Sequence, residues 1–382
     1  MCGKGKKIVL AFDSFKGSLA SCEVAEAFAQ GLSSAAVGPF DTVAVPIADG
    51  GEGTVDSLVR ALDGEFVDAV VQGPLGAPVR AQYGIVDGGR CAVVEMSAAS
   101  GLPLLLVEER NPWLATTFGT GELIADALER GCRKFLVGIG GSATNDGGVG
   151  MLRVLGYRFF NVDGAELQGG GDILGNIARI DATDAHPSLQ ECEFIVACDV
   201  DNPLYGENGA ACVYAPQKGA DEAMVQKLDA GLRNYARVVE EYTRRNVAQQ
   251  PGAGAAGGLG AAFVAMLGAR LVPGASMVLD ALRFSSIIAD ASLVVTGEGR
   301  IDCQTMMGKA PCGVLRAAQA CGVPVAAVGG SVAWCEELQS SGFAGIYVAT
   351  PAGMSLEQAM QPSVAKENVA RCAAAVATDF CI

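Results

Sequence analysis

Four times in this chain an apolar, strand-like run ends in a short string that mixes glycine with hydroxyl, amide or charged residues. These strings are residues 13–18 (DSFKGS), 49–54 (DGGEGT), 138–148 (GIGGSATNDGG) and 296–309 (TGEGRIDCQTMMGK). A strand that passes through such a loop into a helix is followed by a strand running parallel to it, so the recurrence commits the chain to α/β sheet architecture. In open sheets of that kind ligands bind beyond the carboxyl ends of the strands, where loops feed helix N-termini. Glycine makes up 51 of the 382 residues, well above the ordinary ~7%. Without a collagen-like period, that excess means tight turns and close backbone approaches.

The order of the elements follows from hydrophobic period. Lys6–Phe12 reads as a strand, and Val24, Ala25, Phe28, Ala29 and Leu32 recur at helical spacing behind Ser18 and Ser21 as candidate N-caps. A second strand over 41–45 leads through 49–54 into a helix carrying Val55, Leu58 and Val59. From Glu65 the runs 66–71, 79–86 and 90–96 are separated only by turn signals, which predicts an antiparallel meander. A helix through Leu123 and Leu128, a strand over 134–139, a helix from about Val149 and a long helix over 221–245 follow. The last hundred residues return to the opening pattern, with strands at 293–296, 323–328 and 346–349. The expected fold is therefore two α/β domains. A flavodoxin-like, five-stranded parallel-sheet domain is built from both chain ends (1–64 and 285–382), and a second α/β domain with a mixed sheet (65–284) is inserted into it.

Composition removes several function classes. Lys and Arg number 27 against 42 Asp and Glu, a net charge of −15, so neither nucleic acid nor an anionic membrane is expected as a partner. The uncharged stretches 251–269 and 317–334 are too rich in Gly and Ala, or too broken by Gly and Pro, to span a bilayer. Thirteen cysteines form no CxxC pair, and His186 is the single histidine, which makes zinc improbable. A strand-like run, not a signal-peptide core, follows the first four residues, and the expected compartment is the reducing cytoplasm.

The polar loops carry the candidate chemistry. In 138–148 the backbone N–H groups of Gly140 and Gly141, with Ser142, Thr144, Asn145 and Asp146, would make a phosphate cradle ahead of a helix. The competing reading is a tight strand-to-helix turn. No GxxxxGK[ST] occurs, so this is not a Walker A loop, and the GxGxxG at Gly252, Gly254 and Gly257 follows Gln-Gln-Pro where a dinucleotide fold needs a strand. Residues 296–309 set Gly297, Glu298, Arg300, Asp302, Gln304 and Lys309 together, suiting a metal-phosphate site with carboxylates on Mg²⁺ and cations on phosphate oxygens. A solvated loop of mutually neutralising charges is the alternative. Ser14 and Lys16, with Asp49 in the second loop, present hydroxyl, cation and carboxylate to an anionic substrate. Asp199, beside Asp201 and Asn202 at the tip of a strand over 194–198, could be a base, a metal ligand or the start of an Asx-turn. His186, followed by Pro187, has no evident proton-transfer partner.

Nine strings in order extend these readings: DSFKGS (13–18), ADGGEGT (48–54), GPLGAPV (73–79), NPWLATTFGTGELI (111–124), GIGGSATNDGG (138–148), NPLYGENGA (202–210), PQKGA (216–220), PGAGAAGGLG (251–260) and TGEGRID (296–302). In them the chain resembles the bacterial glycerate kinases of the type that usually make 2-phosphoglycerate, over almost its whole length. Phe12 departs from the pattern, where the family typically has proline. The resemblance implies ATP-dependent, Mg²⁺-assisted phosphorylation of D-glycerate by a transferase with an inserted second domain; it leaves the residue roles and oligomeric state open. With no suitable histidine, the proton acceptor is expected to be Asp199 first and Asp146 second. Lys16 and Arg300 would divide the glycerate carboxylate and the phosphates between them, and Ser14, Asp49 and Asn202 would complete the substrate site. ATP would meet Gly140, Gly141, Ser142, Thr144, Asn145, Gly297 and Lys309, and metal would meet Asp146, Glu298 and Asp302. Rival readings are a glycerate 3-kinase, a non-catalytic nucleotide- or glycerate-binding regulator, and an NAD-dependent hydroxyacid dehydrogenase.

Overall fold

The computed structural model describes residues 5–35 and 38–382. The strands, in chain order, are β1 (Lys6–Phe12), β2 (Phe40–Ala44), β3 (Glu65–Gln72), β4 (Pro78–Val86), β5 (Cys91–Glu95), β6 (Lys134–Gly138), β7 (Arg158–Phe160), β8 (Arg179–Asp181), β9 (Glu193–Ala197), β10 (Arg270–Val272), β11 (Leu293–Ile301), β12 (Val325–Val332) and β13 (Gly345–Val348). They divide between two compact units, residues 1–49 with 274–382 and residues 50–273. Among the described residues no helix is long and apolar enough to cross a membrane.

In the unit made of both chain ends, five parallel strands run in the order β13-β12-β11-β1-β2. Read from β2, this is the 2-1-3-4-5 order of flavodoxin-like sheets, whose ligand crevice lies where the order reverses, between β1 and β11. Ile8 to Phe12 are completely buried, as a central parallel strand covered on both faces must be. The helices Ser21–Ala35 and Pro362–Asp379 pack together and seal one face with Val24, Phe28, Leu32, Val369 and Val376. One expectation changes: β11 does not stop at Thr296 but runs to Ile301, with Arg300 paired to Ser331 on β12. Gly330 meets the carbonyl of Gly299 so closely that a Cβ would stand 2.6 Å from it. Glycines that look like turn signals thus let the ladder continue, and Glu298 and Arg300 share one face of a strand.

The other unit holds a six-stranded sheet in the order β10-β9-β6-β5-β4-β3, antiparallel from β3 to β5 and parallel from β5 to β10, with β7 and β8 as a separate antiparallel pair. The helix Thr54–Ala61 packs on β4 and β5 of this sheet, so residues 50–64, expected with the chain ends, belong here. Of its buried stripe of Val55, Leu58 and Val59, the two valines pack against Gly84, where no side chain intervenes. Conversely, the helix Gly274–Ala281 packs on the helix Ala310–Ala320 of the terminal unit.

Candidate active site

Register brings the first and fourth polar strings together. Phe12 pairs with Gly297 across β1 and β11, and the Asp13 backbone N–H donates to the Gly297 carbonyl at 3.0 Å. Two carboxylates, Asp13 and Glu298, therefore leave the central strands at the switch point of the sheet. Asp13 is 6% exposed and its Oδ1 accepts from the Ser14 N–H at 2.6 Å. Burial, followed by the neighbouring charge of Asp49, pushes its carboxyl up to about 7. Glu298 is also pushed up, chiefly by burial, against the pull of the Thr305 hydroxyl at 2.7 Å and the Lys309 ammonium at 3.3 Å. The Lys16 ammonium lies 3.6 Å from Asp49, which raises it despite burial.

Asp13, Ser14, Lys16, Glu298, Arg300 and Lys309 line one cavity of about 490 Å³, with Asp49 tied to it through Lys16. This is the part of the predicted site that the structure assembles. Asp13 was passed over in the sequence, although it opens the DSFKGS string. Two neighbours change meaning. Gly297 is buried in the sheet, its Cα turned to the Val328 carbonyl so that a Cβ would come within 2.0 Å; the glycine clears the neighbouring strand, which accounts for it without a nucleotide. Asp302 accepts from the Gln304 N–H at 2.9 Å and pairs with Arg300 at 3.2 Å. It caps the turn after β11 and holds Arg300, as Glu298 is itself held by Thr305 and Lys309.

The candidates in the other unit fare differently. Of residues 138–148 only Gly140 and Gly141 are exposed. Thr144, Asn145 and Asp146 are completely buried, and so do not line an open phosphate cradle. Asp146 accepts from the Thr117 N–H and hydroxyl at 2.8 Å and the Gly150 N–H at 3.2 Å on one oxygen, and from the Gly148 N–H at 3.0 Å on the other. A carboxylate ringed by donors is a loop clamp, offering no open edge to Mg²⁺ or to a substrate proton. Burial still drives its carboxyl upward, against those hydrogen bonds. Ser142 is held from within: the buried Lys218 ammonium donates to its hydroxyl and to the Thr144 carbonyl, both at 2.7 Å. Burial lowers Lys218 to about 7. Lys218, Thr116 and Thr117 were not singled out in the sequence, though PQKGA and NPWLATTFGTGELI contain them.

The loop is closed by the string 251–260. Gly257, at φ +68°, lies so close that a Cβ would be 2.2 Å from the Thr144 carbonyl, and the Gly147 N–H donates to the Gly257 carbonyl at 2.9 Å. Asp199 is exposed just past β9, the parallel neighbour of β6. Asn202 spends both ends of its amide locally, donating to the Asn208 carbonyl at 2.8 Å and accepting from the Tyr214 hydroxyl at 2.5 Å. It braces the NPLYGENGA turn. His186 caps the turn Pro187–Glu191 by accepting from the Ser188 N–H at 3.3 Å.

Among the described residues the only three potential metal-ligand side chains within 4.8 Å of one another are Cys303, Cys335 and Glu337; the cavity carboxylates form no preassembled cage.

Comparison with known proteins adds a family. The profile of the Glycerate kinase family matches residues 8–381. A glycerate kinase of Halalkalibacterium halodurans is 47% identical over 93% of both chains, and the glycerate 2-kinase of Escherichia coli K12 is 48% identical over 85% of both. The crystal structure of a Salmonella typhimurium LT2 protein designated glycerate kinase 2 superposes with a TM-score of 0.90 at 43% identity, covering 99% of this chain and 98% of the other.

Proposed function

The chain belongs to the glycerate kinase family, and from that premise we propose that it transfers the terminal phosphoryl group of ATP to the C2 hydroxyl of D-glycerate, with Mg²⁺, giving 2-phosphoglycerate. The carrying observation is the cavity at the sheet's switch point, where Lys16, Arg300 and Lys309 stand beside Asp13 and Glu298. Phosphoryl transfer asks for positioning, charge neutralisation and an acceptor for the attacking proton, and this set supplies each. The planar Arg300 guanidinium suits the glycerate carboxylate, Ser14 a substrate hydroxyl, and Lys16 and Lys309 the phosphate oxygens. The C2 choice rests on the name of the Escherichia coli relative.

Asp13 is the better proton acceptor than Asp199. It is enclosed, and with its carboxyl at about 7 it has the proton affinity that general-base work near neutral pH favours. It takes the C2 hydroxyl proton as the new O–P bond forms and the bond to the bridging oxygen of ATP breaks, releasing ADP. Mg²⁺ is commonly held by one or two carboxylates and completed by substrate phosphates, so the lack of a preassembled cage is no obstacle. Glu298, a buried carboxylate beside the cavity, fits that use. When bound, the ion would neutralise charge on the phosphates.

Phosphorus NMR of D-glycerate incubated with MgATP and the protein tests the reading. The expected product is 2-phosphoglycerate. A 3-phosphoglycerate signal moves the acceptor to C3, and ligand binding without turnover selects the regulator. Enhanced NADH fluorescence on adding protein would point to the dehydrogenase.

A further inference from the structure

We infer that the apolar wall of the terminal unit's cavity seats the adenine ring of the nucleotide, with the side-chain amide of Asn368 as its polar contact. The inference rests on the kinase reading above and assigns its nucleoside site. A three-carbon hydroxyacid does not need about 490 Å³, a volume within the ~300–1,000 Å³ of pockets that enclose ligands several times larger. The cavity's lining is also of two kinds. Besides the charged residues it includes Met354, Leu356, Met360, Ala365 and Val369, surface that glycerate cannot use. Leu356 is 74% exposed and Met360 36%. Apolar side chains left wet at the rim of a charged cavity are what a flat aromatic ring covers, and a thioether is a favourable neighbour for its edge.

Asn368 supplies the direction. It is 4% exposed, and the Arg371 guanidinium donates to its Oδ1 at 2.8 Å and to the Ala349 carbonyl at 3.0 Å. Because guanidinium only donates, the oxygen of the amide must face Arg371 and the NH₂ group the other way. There its partner is the Met354 sulfur at 3.4 Å, a weak acceptor for a buried donor that ordinarily finds a strong one. The ring nitrogens of adenine are acceptors. A purine lying on Leu356 and Met360 would take that donor in place of the Met354 sulfur, and its phosphates would extend to Lys16 and Lys309 on the same cavity.

Calorimetric titration of the full chain with ADP, inorganic tripolyphosphate and D-glycerate tests this. Two variants probe the wall. Asn368→Asp keeps an acceptor for Arg371 and removes the donor; Leu356→Asp alters an exposed position whose change leaves the core intact. Each should weaken ADP about tenfold or more, with tripolyphosphate and D-glycerate held within about twofold. Weakened D-glycerate with unchanged ADP would make this the acid's cavity and overturn the assignment, as would ADP binding unchanged in both variants. An equal loss of tripolyphosphate and ADP would also overturn it, because the effect would then be charge alone. A wild-type chain that binds ADP through this wall yet fails to phosphorylate glycerate would refute the kinase reading and leave the nucleoside site standing.

Discussion

Residues 296–309 and 138–148 look alike as sequence, both glycine-rich, both polar, both following an apolar strand, and they end in opposite situations. In the first, Glu298, Arg300 and Lys309 open onto a cavity and their charges answer only partly to one another. In the second, Asp146 is completely buried among N–H and O–H donors, and the string 251–260 presses against the backbone of Thr144 and Asn145. Glycine in a polar loop reports that the backbone needs clearance; it does not report whether ligand or protein uses that clearance. The charges distinguish the cases: carboxylates and cations left near a cavity signal a missing partner, whereas a buried carboxylate ringed by the loop's own donors already has its partners.

The largest expected effect bears on which unit carries the base. Asp13→Asn keeps the shape and removes the acceptor charge, so kcat should fall by roughly 10²–10⁴, while Asp199→Asn should cost less than about tenfold. Steady-state kinetics on the two variants decide; the reverse ranking would move the base to the inserted unit. In the wild type kcat should rise with pH through about 7 as Asp13 ionises, and that limb should vanish in Asp13→Asn. Stability carries the opposite sign. The folded carboxyl holds its proton to about 7 while the unfolded one releases it near 3.8, so Asp13 withdraws stability as pH rises across that window. Asp13→Asn should therefore raise Tm at neutral pH relative to wild type.

A second test concerns the closed loop. Gly257→Ala places a Cβ at 2.2 Å from the Thr144 carbonyl, at φ +68°, and should cost about 3 kcal/mol or more in urea unfolding. Gly299→Ala in the open site meets nothing nearer than 3.5 Å, and its stability should change by less than about 1 kcal/mol. Equal losses would mean that both loops serve packing.

Lys218 gives a smaller, pH-dependent effect. Its ammonium is lowered to about 7 in the fold against 10.5 ordinarily, so it contributes stability that is present above 10.5 and lost as pH falls through about 7. Thermal unfolding of Lys218→Met should lack that part of the wild-type gain in Tm between pH 7 and 10. Unchanged slopes would place the ammonium in contact with water.

The fold was largely legible because it rests on patterns local to the chain. Period-2 and period-3.6 runs marked β1, β3, β4, β5 and the helix Glu222–Thr243, and five strands split between the ends led to the flavodoxin-like order. What was hidden depends on partners distant in sequence. The continuation of β11 needs Gly330 against Gly299, and the placement of the helix Thr54–Ala61 needs Gly84 to receive Val59. The site was half legible for the same reason. Ser14, Lys16, Glu298, Arg300 and Lys309 were readable as charged groups at strand ends. Asp13 stood out only once pairing of Phe12 with Gly297 enclosed it beside Glu298. Asp146 and Asn145 misled because a buried polar residue and an exposed one have the same letter.

His186 should give the smallest effect. A lone histidine invites a catalytic role, yet its Nδ1 accepts from the Ser188 N–H at 3.3 Å and so caps the short turn Pro187–Glu191. An N-cap satisfies one backbone donor and is worth about 0.5–2 kcal/mol; at this distance the lower end applies. His186→Ala should therefore leave kcat and both KM values within about twofold, with a loss near 0.5 kcal/mol in unfolding free energy. His186→Asn, which can cap the same turn through its side-chain oxygen, should recover that loss. A hundredfold fall in kcat in folded His186→Ala would assign proton transfer to the inserted unit and undo the contrast between an open, charged site and a closed, structural one.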